Sequence, residues 1–367
     1  MYEKMIENWK SIIDYGPRPL GSENFCQCSD YVLSEMEKVT DRAWKDEKPF
    51  DSWDVRDYRL EAILPEGKKL IKSYVFLNSG SSKGFTGTIR YAGQNRVWNM
   101  YVWDRYMVVD EKEEIAAYIT VRGNGESIPQ MLFQGHSDVP HFLVGESEKE
   151  FFERAEKEQI QFTGFADTFI REGSKCRNVV GTLSATAPKV VICGHCDTVY
   201  STKGAYDNSA GAAVVLELAR EIQGKKRNYE IEFLITDGEE FDLVGSRQRA
   251  AECAGQDIRF VLNIDGVGRE KVLEVWSGPE QVERKIRKIL GESKEEFSPI
   301  YICPPPPGSD HAPYFDMGIP VCMLTFNDQG ILHSPEDIYR ESLIPNMEEM
   351  VRISMDLLEK LGIIEAV

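Results

Sequence analysis

Between Lys175 and Leu361 the chain switches repeatedly between two hydrophobic periods, and that alternation restricts it to few folds. Runs rich in β-branched and aromatic residues predict strands over 178–183, 189–193, 230–236, 259–264, 273–276 and 321–326. Helix-period stretches at 209–223, 245–253, 279–290, 310–316 and 346–361 follow them. Such a rhythm builds an α/β unit with a mostly parallel sheet flanked by helices. Ahead of it, Ile6, Trp9, Ile12 and Ile13 have helical spacing, GPRPLGS (16–22) breaks the pattern, and a second helix is expected over 23–39. Residues 54–174 read differently. Runs such as YRLEAIL, SYVFLNS, GTIRYAG, AAYITVRG and IPQMLFQG alternate with Gly, Ser and Asn turns, helical periodicity is weak until SEKEFFERAEKEQ, and one or two helices are expected. The expected organisation is one α/β unit from 1–53 and 175–367, interrupted by a β-rich insertion over 54–174; a chain of 367 residues is long for a single core.

The formal charge of -18 argues against nucleic acid or an anionic membrane as a partner, since both require clustered Lys and Arg. No stretch approaches the ~20 apolar residues of a membrane span. The start, MYEKMIENWKSIIDYG, lacks the apolar core of a signal peptide, so a cytoplasmic location is expected; the eight scattered cysteines do not overturn this, since their even count allows disulfides but a chain this long needs none.

The chemistry sits at the predicted strand ends. VVI (190–192) leads into His195 and Asp197, and an Asp-Asn-Ser turn begins at Asp207 between Gly204 and Gly211. Glu239 and Glu240 follow IEFLIT, Asp265 follows FVLNI, and His333 lies in ILHSPED. Open α/β sheets place ligands past the carboxyl ends of their strands. Two His and several carboxylates gathered there form the donor set of a metal site, and five side chains serve two metals if one carboxylate bridges them. Asp207, on its Gly-flanked turn, is the natural bridge. Adjacent Glu239 and Glu240 cannot easily face one metal, so one coordinates and the other stays free as a base.

Two patterns compete for attention. Cys193-Gly194-His195-Cys196 has C-x-x-C spacing, but the residues after it are turn formers, so no helix N-terminus lowers a thiol pKa. Gly135-His136-Ser137-Asp138 copies the H-x-D spacing inside the insertion without a following Asp-Asn turn, and reads as a loop entering a strand.

Taken in order, GPRPLGS, GHCDTV, GAYDNSAG, DGEEFDLVGS, NIDGVG, PGSDHAPYFDMGIP and LHSPEDI resemble the co-catalytic dizinc aminopeptidases related to aminopeptidase Y and glutamate carboxypeptidase. The resemblance covers the first ~50 residues and 175–340, and the insertion is similar to a protease-associated domain. It implies two divalent metals, most often Zn²⁺, with His195 and Asp265 on one, Glu240 and His333 on the other, and Asp207 between them. It further implies Glu239 as general base and acid, and Asp197 as the partner that orients His195. The implied reaction removes the N-terminal residue from peptides with a free amine, using hydroxide generated at the paired metals. A carboxypeptidase or amidohydrolase on the same scaffold is the rival, and a non-catalytic peptide-binding relative is a further one. Two positions depart from the pattern. Leu332 precedes His333 where some members carry a Tyr that steadies the oxyanion, leaving Tyr200, Tyr206 or the metal for that task. Asp242 stands where Gly is common. Asp310 and His311 are candidates for shaping the pocket.

Overall fold

The computed structural model describes residues 2–97, 101–132, 135–185, 188–292 and 298–365. The chain divides into two units, one formed by Met1–Phe50 with Gly173–Val367 and the other by Asp51–Glu172.

The first unit is organised by its buried strands: β1 (Arg42–Pro49), β2 (Lys175–Leu183), β3 (Lys189–His195), β4 (Glu230–Thr236), β5 (Ile258–Val267), β6 (Val272–Gly278), β7 (Ser298–Ile302) and β8 (Val321–Phe326). They form one sheet in the order β1-β2-β4-β3-β5-β8-β6-β7. Only the middle is continuously parallel, through β4, β3, β5 and β8. β1 with β2, β2 with β4, and β6 with β8 pair antiparallel, while β7 lies parallel to β6. The sheet is thus more mixed than the βα rhythm predicts. β1 accounts for part of this: residues 42–49 are charged and half-exposed, as an antiparallel edge strand can be, and the sequence gives them no strand signature.

Alternation along β3 divides its side chains between two cores. Val190 and Ile192 join the larger one with α1 (Glu3–Asp14), α2 (Glu23–Met36) and α3 (Gly211–Gln223); Val191 and Cys193 join the smaller one, with Ala250 on α4 (Val244–Glu252). Helix α5 (Glu280–Glu292) adds Ile286 to the larger core, α6 (Ala312–Asp316) adds Tyr314 to the smaller, and α7 (Ile344–Lys360) returns to the larger. Each such burial contributes about 1.5–3 kcal/mol, so a charged residue at Ile192 would undo the strand that carries His195. The helix boundaries are set by caps. Gly16 at φ +72° donates its N–H to Ile13 O at 2.9 Å, a left-handed turn that closes α1 at little steric cost. Ser22 Oγ then accepts the Phe25 N–H at 3.1 Å and starts α2, a contact worth ~1 kcal/mol.

Several elements differ from the sequence-based expectation. Helix α2 stops at Met36 rather than 39, α3 begins at Gly211 because 205–210 form a tight turn, and α6 begins at Ala312. Strand β7 is unforeseen: it is five residues at the sheet edge, too short for a periodic signal.

The second unit is an eight-stranded sheet in the order Gly67–Leu70, Ser52–Leu64, Gln161–Arg171, Ser82–Val97, Tyr101–Val109, Ile115–Val121, His141–Val144, Ser73–Val75. Its one α-helix among the described residues is Lys149–Lys157. All described pairings are antiparallel except that of Ile115–Val121 with His141–Val144. The run 128–135 forms no strand, only a bridge from Met131 to Leu77, and residues 133–134 lie outside the described set. Of the aromatic-rich run 91–109, Trp103 and Tyr106 are buried and Tyr91 is exposed; residues 98–100 lie outside the described set. No helix among the described residues is long and apolar enough to cross a membrane.

Candidate metal centre

The four central parallel strands end on the same side, and each delivers polar residues there. His195 is the last residue of β3, Glu239 and Glu240 lie in the turn after β4, Asp265 lies near the end of β5, and His333 follows β8. Asp207 comes from the tight turn 205–210 ahead of α3.

These side chains form two triads that share one member. Ligand atoms of His195, Asp207 and Asp265 lie within 4.8 Å of one another, as do those of Asp207, Glu240 and His333. The two oxygens of Asp207 face different imidazoles. Oδ1 is 3.1 Å from His195 Nε2, and Oδ2 is 3.2 Å from His333 Nε2. His195 Nε2 is also 3.3 Å from Asp265 Oδ1, and His333 Nε2 is 2.9 Å from Glu240 Oε2. Glu239 stands outside both triads, with Oε2 3.9 Å from His195 Nε2. Adjacent glutamates are thereby separated, one among the potential ligands and one beside them.

The electrostatics describe a site short of positive charge. Burial resists charging His195, yet Glu239, Asp265, Asp197 and Asp207 together raise its imidazole well above the usual range; Glu240 and Asp207 do the same for His333. Burial works against ionising Asp207 too, but contacts with His195 and His333 outweigh it and hold the carboxyl below its ordinary value. Burial pushes Glu239 well upward, against His195 and helped by Asp265, and lifts Glu240 to about 7. Glu240 Oε1 is buried without a hydrogen-bond partner among the described residues. Imidazole protons therefore stand between pairs of carboxylate oxygens, which is where divalent cations exchange for protons. Nitrogen and oxygen donors in this number fit Zn²⁺ well. The residues present fit a pair of such ions.

A layer of hydrogen bonds orients the triads. Asp197 Oδ1 accepts the Glu239 N–H at 3.1 Å and Oδ2 the Glu240 N–H at 3.2 Å, while His195 Nδ1 lies 3.4 Å from Oδ1. Asp197 thus fixes both: its carboxylate holds the backbone of the glutamate pair, and its backbone O, 3.2 Å from His195 Nδ1, joins Oδ1 in holding the imidazole ring. Further residues share this task and were not singled out from the sequence. Asp337 accepts the N–H groups of Tyr206 at 2.7 Å and Asp207 at 3.0 Å. Ser309 donates to Asp265 Oδ2 and accepts from Asn263 Nδ2 at 2.7 Å. Asn208 donates to Ile264 O at 2.9 Å and accepts the Gly266 N–H at 3.1 Å, tying the Asp207 turn to β5. Gly211 permits that approach, because a Cβ there would strike the Asn208 side chain and Ile264 O. Asp337, Ser309 and Asn208 all lie inside the quoted motifs, but nothing in their spacing marks them.

Tyr206 is buried, donates to Asn327 Oδ1 at 3.2 Å and accepts the Asp328 N–H at 3.0 Å, so its hydroxyl is committed away from an oxyanion role. Asp242 adopts φ +62°, the backbone a Gly would supply, and its side chain pairs with Arg247 at 3.3 Å. Asp310 takes a hydrogen bond from Thr236, and His311 Nε2–H donates to Pro306 O at 2.9 Å; neither belongs to the triads. Cys193 and Cys196 lie in different cores, the former 3.5 Å from Asn263 Oδ1 and the latter 3.6 Å from Cys28 Sγ. His136 and Asp138 contact each other at 2.9 Å with side chains 64% and 97% exposed, a surface pair and no site.

Fold and geometry together define an α/β protein whose central strand ends carry two carboxylate–imidazole triads that share Asp207. Over residues 178–358 the sequence matches peptidase family M28. Among curated proteins it is similar to aminopeptidase YwaD of Bacillus subtilis, 27% identical over 163 residues, which is 40% of this chain and 35% of that protein. It also resembles the vacuolar membrane protease of Candida glabrata, 30% identical over 81 residues, 22% of this chain and 9% of that one. The matched segment thus spans about a third or less of these relatives. Among solved structures, the aminopeptidase from Aneurinibacillus sp. strain AM-1 has a TM-score of 0.75 at 18% identity, covering 100% of this chain and 96% of that one. The peptidase M28 precursor from Shewanella amazonensis SB2B has a TM-score of 0.76 at 16% identity, covering 97% and 93%. BSAP, a zinc aminopeptidase from Bacillus subtilis, has a TM-score of 0.71 at 16% identity, covering 100% and 96%. These likenesses establish the shared fold.

Proposed function

We propose that the protein is a dizinc aminopeptidase that releases the N-terminal residue from peptides carrying a free α-amine. The observation that carries this reading is the split of Asp207 between His195 and His333, each of which has a further carboxylate beside it. In this reading His195 and Asp265 hold one cation, Glu240 and His333 the other, and Asp207 both; the paired ions would supply an activated water and polarise the scissile carbonyl.

The chain's own residues do the rest. Glu239 takes a proton from the attacking water and returns it to the leaving amine; a carboxyl raised by burial suits both directions. Asp197 keeps the His195 ring and the Glu239 backbone in register throughout. The carboxylate-rich surroundings favour a substrate with a protonated amine. We assign residues 51–172 as an insertion of the protease-associated type, on the strength of its β-rich sheet. Eight free cysteines, six of them buried, support a reducing, cytoplasmic location. The net charge of -18 supports peptides rather than nucleic acid or membrane as partners.

The test is hydrolysis of aminoacyl chromogenic substrates by zinc-loaded protein, each in free-amine and N-acetylated form. Only the free-amine compounds should be cleaved. Equal cleavage of acetylated substrates would point to an amidohydrolase, and no cleavage by protein holding two zinc ions would point to a binding relative.

A further inference from the structure

Arg18 belongs to the breaker between α1 and α2, yet it is fully buried. Among the described residues no carboxylate pairs with it. Its hydrogen bonds go instead to the segment that joins His195 to Asp207. Nε donates to Cys196 O at 3.0 Å, Nη1 to Lys203 O at 3.0 Å, and Nη2 to Ser209 Oγ at 2.8 Å. The backbone adds two more bonds, from Arg18 N–H to Thr198 Oγ1 at 2.8 Å and from Thr198 N–H to Arg18 O at 3.2 Å. Nη1 also reaches Ile12 O at 3.2 Å and Gly16 O at 2.6 Å, the carbonyls at the carboxyl end of α1, where a positive group is favoured.

The anchored segment is irregular, and Arg18 adds to a sparse set of other bonds, among them Cys196 N–H to Thr236 O at 3.0 Å, Gly204 N–H to Thr202 Oγ1 at 3.1 Å and Thr202 Oγ1 to Asp337 O at 3.5 Å. Residues 196–204 form neither helix nor strand, and the Asp207 turn follows directly. Cys196 adjoins His195, and Ser209 lies two residues beyond Asp207, so a single guanidinium spans the stretch between the first imidazole and the shared carboxylate. Trp9 supports the same segment from α1, donating Nε1–H to Ala205 O at 2.7 Å. A guanidinium offers five N–H donors in a rigid plane; an ammonium offers three donors from one atom and cannot reach acceptors spread on three sides.

We propose that Arg18 is a positioning residue for the metal pair: it fixes the separation of His195 from Asp207 by clamping the chain at Cys196 and Lys203, between them, and at Ser209, just beyond Asp207. The inference rests on the two-metal reading above, and a metal titration separates the fate of one from the other. Apo protein is titrated with Co²⁺, whose visible absorption reports ligand geometry. Wild type, Arg18→Lys and Ser209→Ala are compared, with circular dichroism to establish folding. The wild type should bind two Co²⁺. Arg18→Lys should bind roughly 10–100-fold more weakly with an altered spectrum, as expected when groups supporting metal ligands are lost. Ser209→Ala, which removes one clamp contact and leaves the arginine in place, should shift both readouts in the same direction but less. A role in folding alone predicts lower thermal stability with affinity and spectrum unchanged, and that outcome would overturn the proposal. Should Arg18→Lys fail to fold, unchanged Co²⁺ binding by folded Ser209→Ala would overturn it equally. Failure of the wild type to bind two Co²⁺ would refute the two-metal reading itself, and this inference with it.

Discussion

Replacing Asp197 with Asn tests whether one carboxylate organises both halves of the centre. The two peptide N–H groups it accepts, at 3.1 and 3.2 Å, reach different oxygens, and the His195 ring lies 3.4 Å from one of them. An amide keeps a single acceptor, so one of the Glu239 and Glu240 N–H groups would face an NH₂ and lose its partner. An unsatisfied buried donor costs about 1–3 kcal/mol, and a lost hydrogen bond to a charged group is worth a further ~1.5–3 kcal/mol. Taking ~3 kcal/mol for the sum, and ~2–4 °C per kcal/mol for a unit of this size, the metal-free variant should melt about 6–12 °C below wild type. Zinc affinity, measured by competition with a chromogenic chelator, should fall roughly 10–100-fold. The substitution changes neither shape nor ligand count, which makes the result easy to read. If melting stayed within 2 °C (roughly the error of such a scan) and zinc affinity within a factor of about two, the ordering role assigned to Asp197 would be refuted.

Two further outcomes are expected. Glu239→Gln should retain both zinc ions by elemental analysis and lose ~10²–10⁴ in turnover, whereas Asp207→Asn should lose metal as well; near wild-type rates from Glu239→Gln would exclude it as the base. In the inserted unit, burial and then the charge of Arg105 depress His141 from 6.5 to about 3. The unfolded chain takes up a proton as the pH falls through ~6.5, and the native unit does so only near ~3. Stability is therefore lost across that window, by up to ~5 kcal/mol below it. Between pH 6 and 4 the stability of the unit containing His141→Gln should fall less steeply than that of wild type, by up to ~1.4 kcal/mol per pH unit; parallel slopes would contradict a buried neutral imidazole.

What the sequence made legible was the gathering of polar side chains at strand ends. His195, Asp207, Glu240, Asp265 and His333 each follow or precede an apolar run, and the same local rule brought them to one side of a parallel sheet core. Arg18, Asp337, Ser309 and Asn208 escaped notice for a common reason. Their partners are backbone groups or side chains far away in the chain, such as the Asp207 N–H for Asp337 and Lys203 O for Arg18, and no local pattern announces those. Strand β1 was hidden for a different reason: half-exposed and charged, it belongs to the sheet through its pairing with β2 and not through its own hydrophobicity.

That pairing has a consequence for how the chain accommodates its second unit. β1 and β2 run antiparallel in continuous register from Arg42 opposite Thr182 to Pro49 opposite Lys175, and Phe50 N–H closes on Ser174 O at 3.0 Å. The two are a hairpin in which an entire folding module replaces the bend. Because the entropic cost of closing a flexible connection grows only with the logarithm of its length, such a splice point tolerates cargo of almost any size once the strands zip. The zipped strands, not the length of what they bracket, therefore set the local stability of the junction.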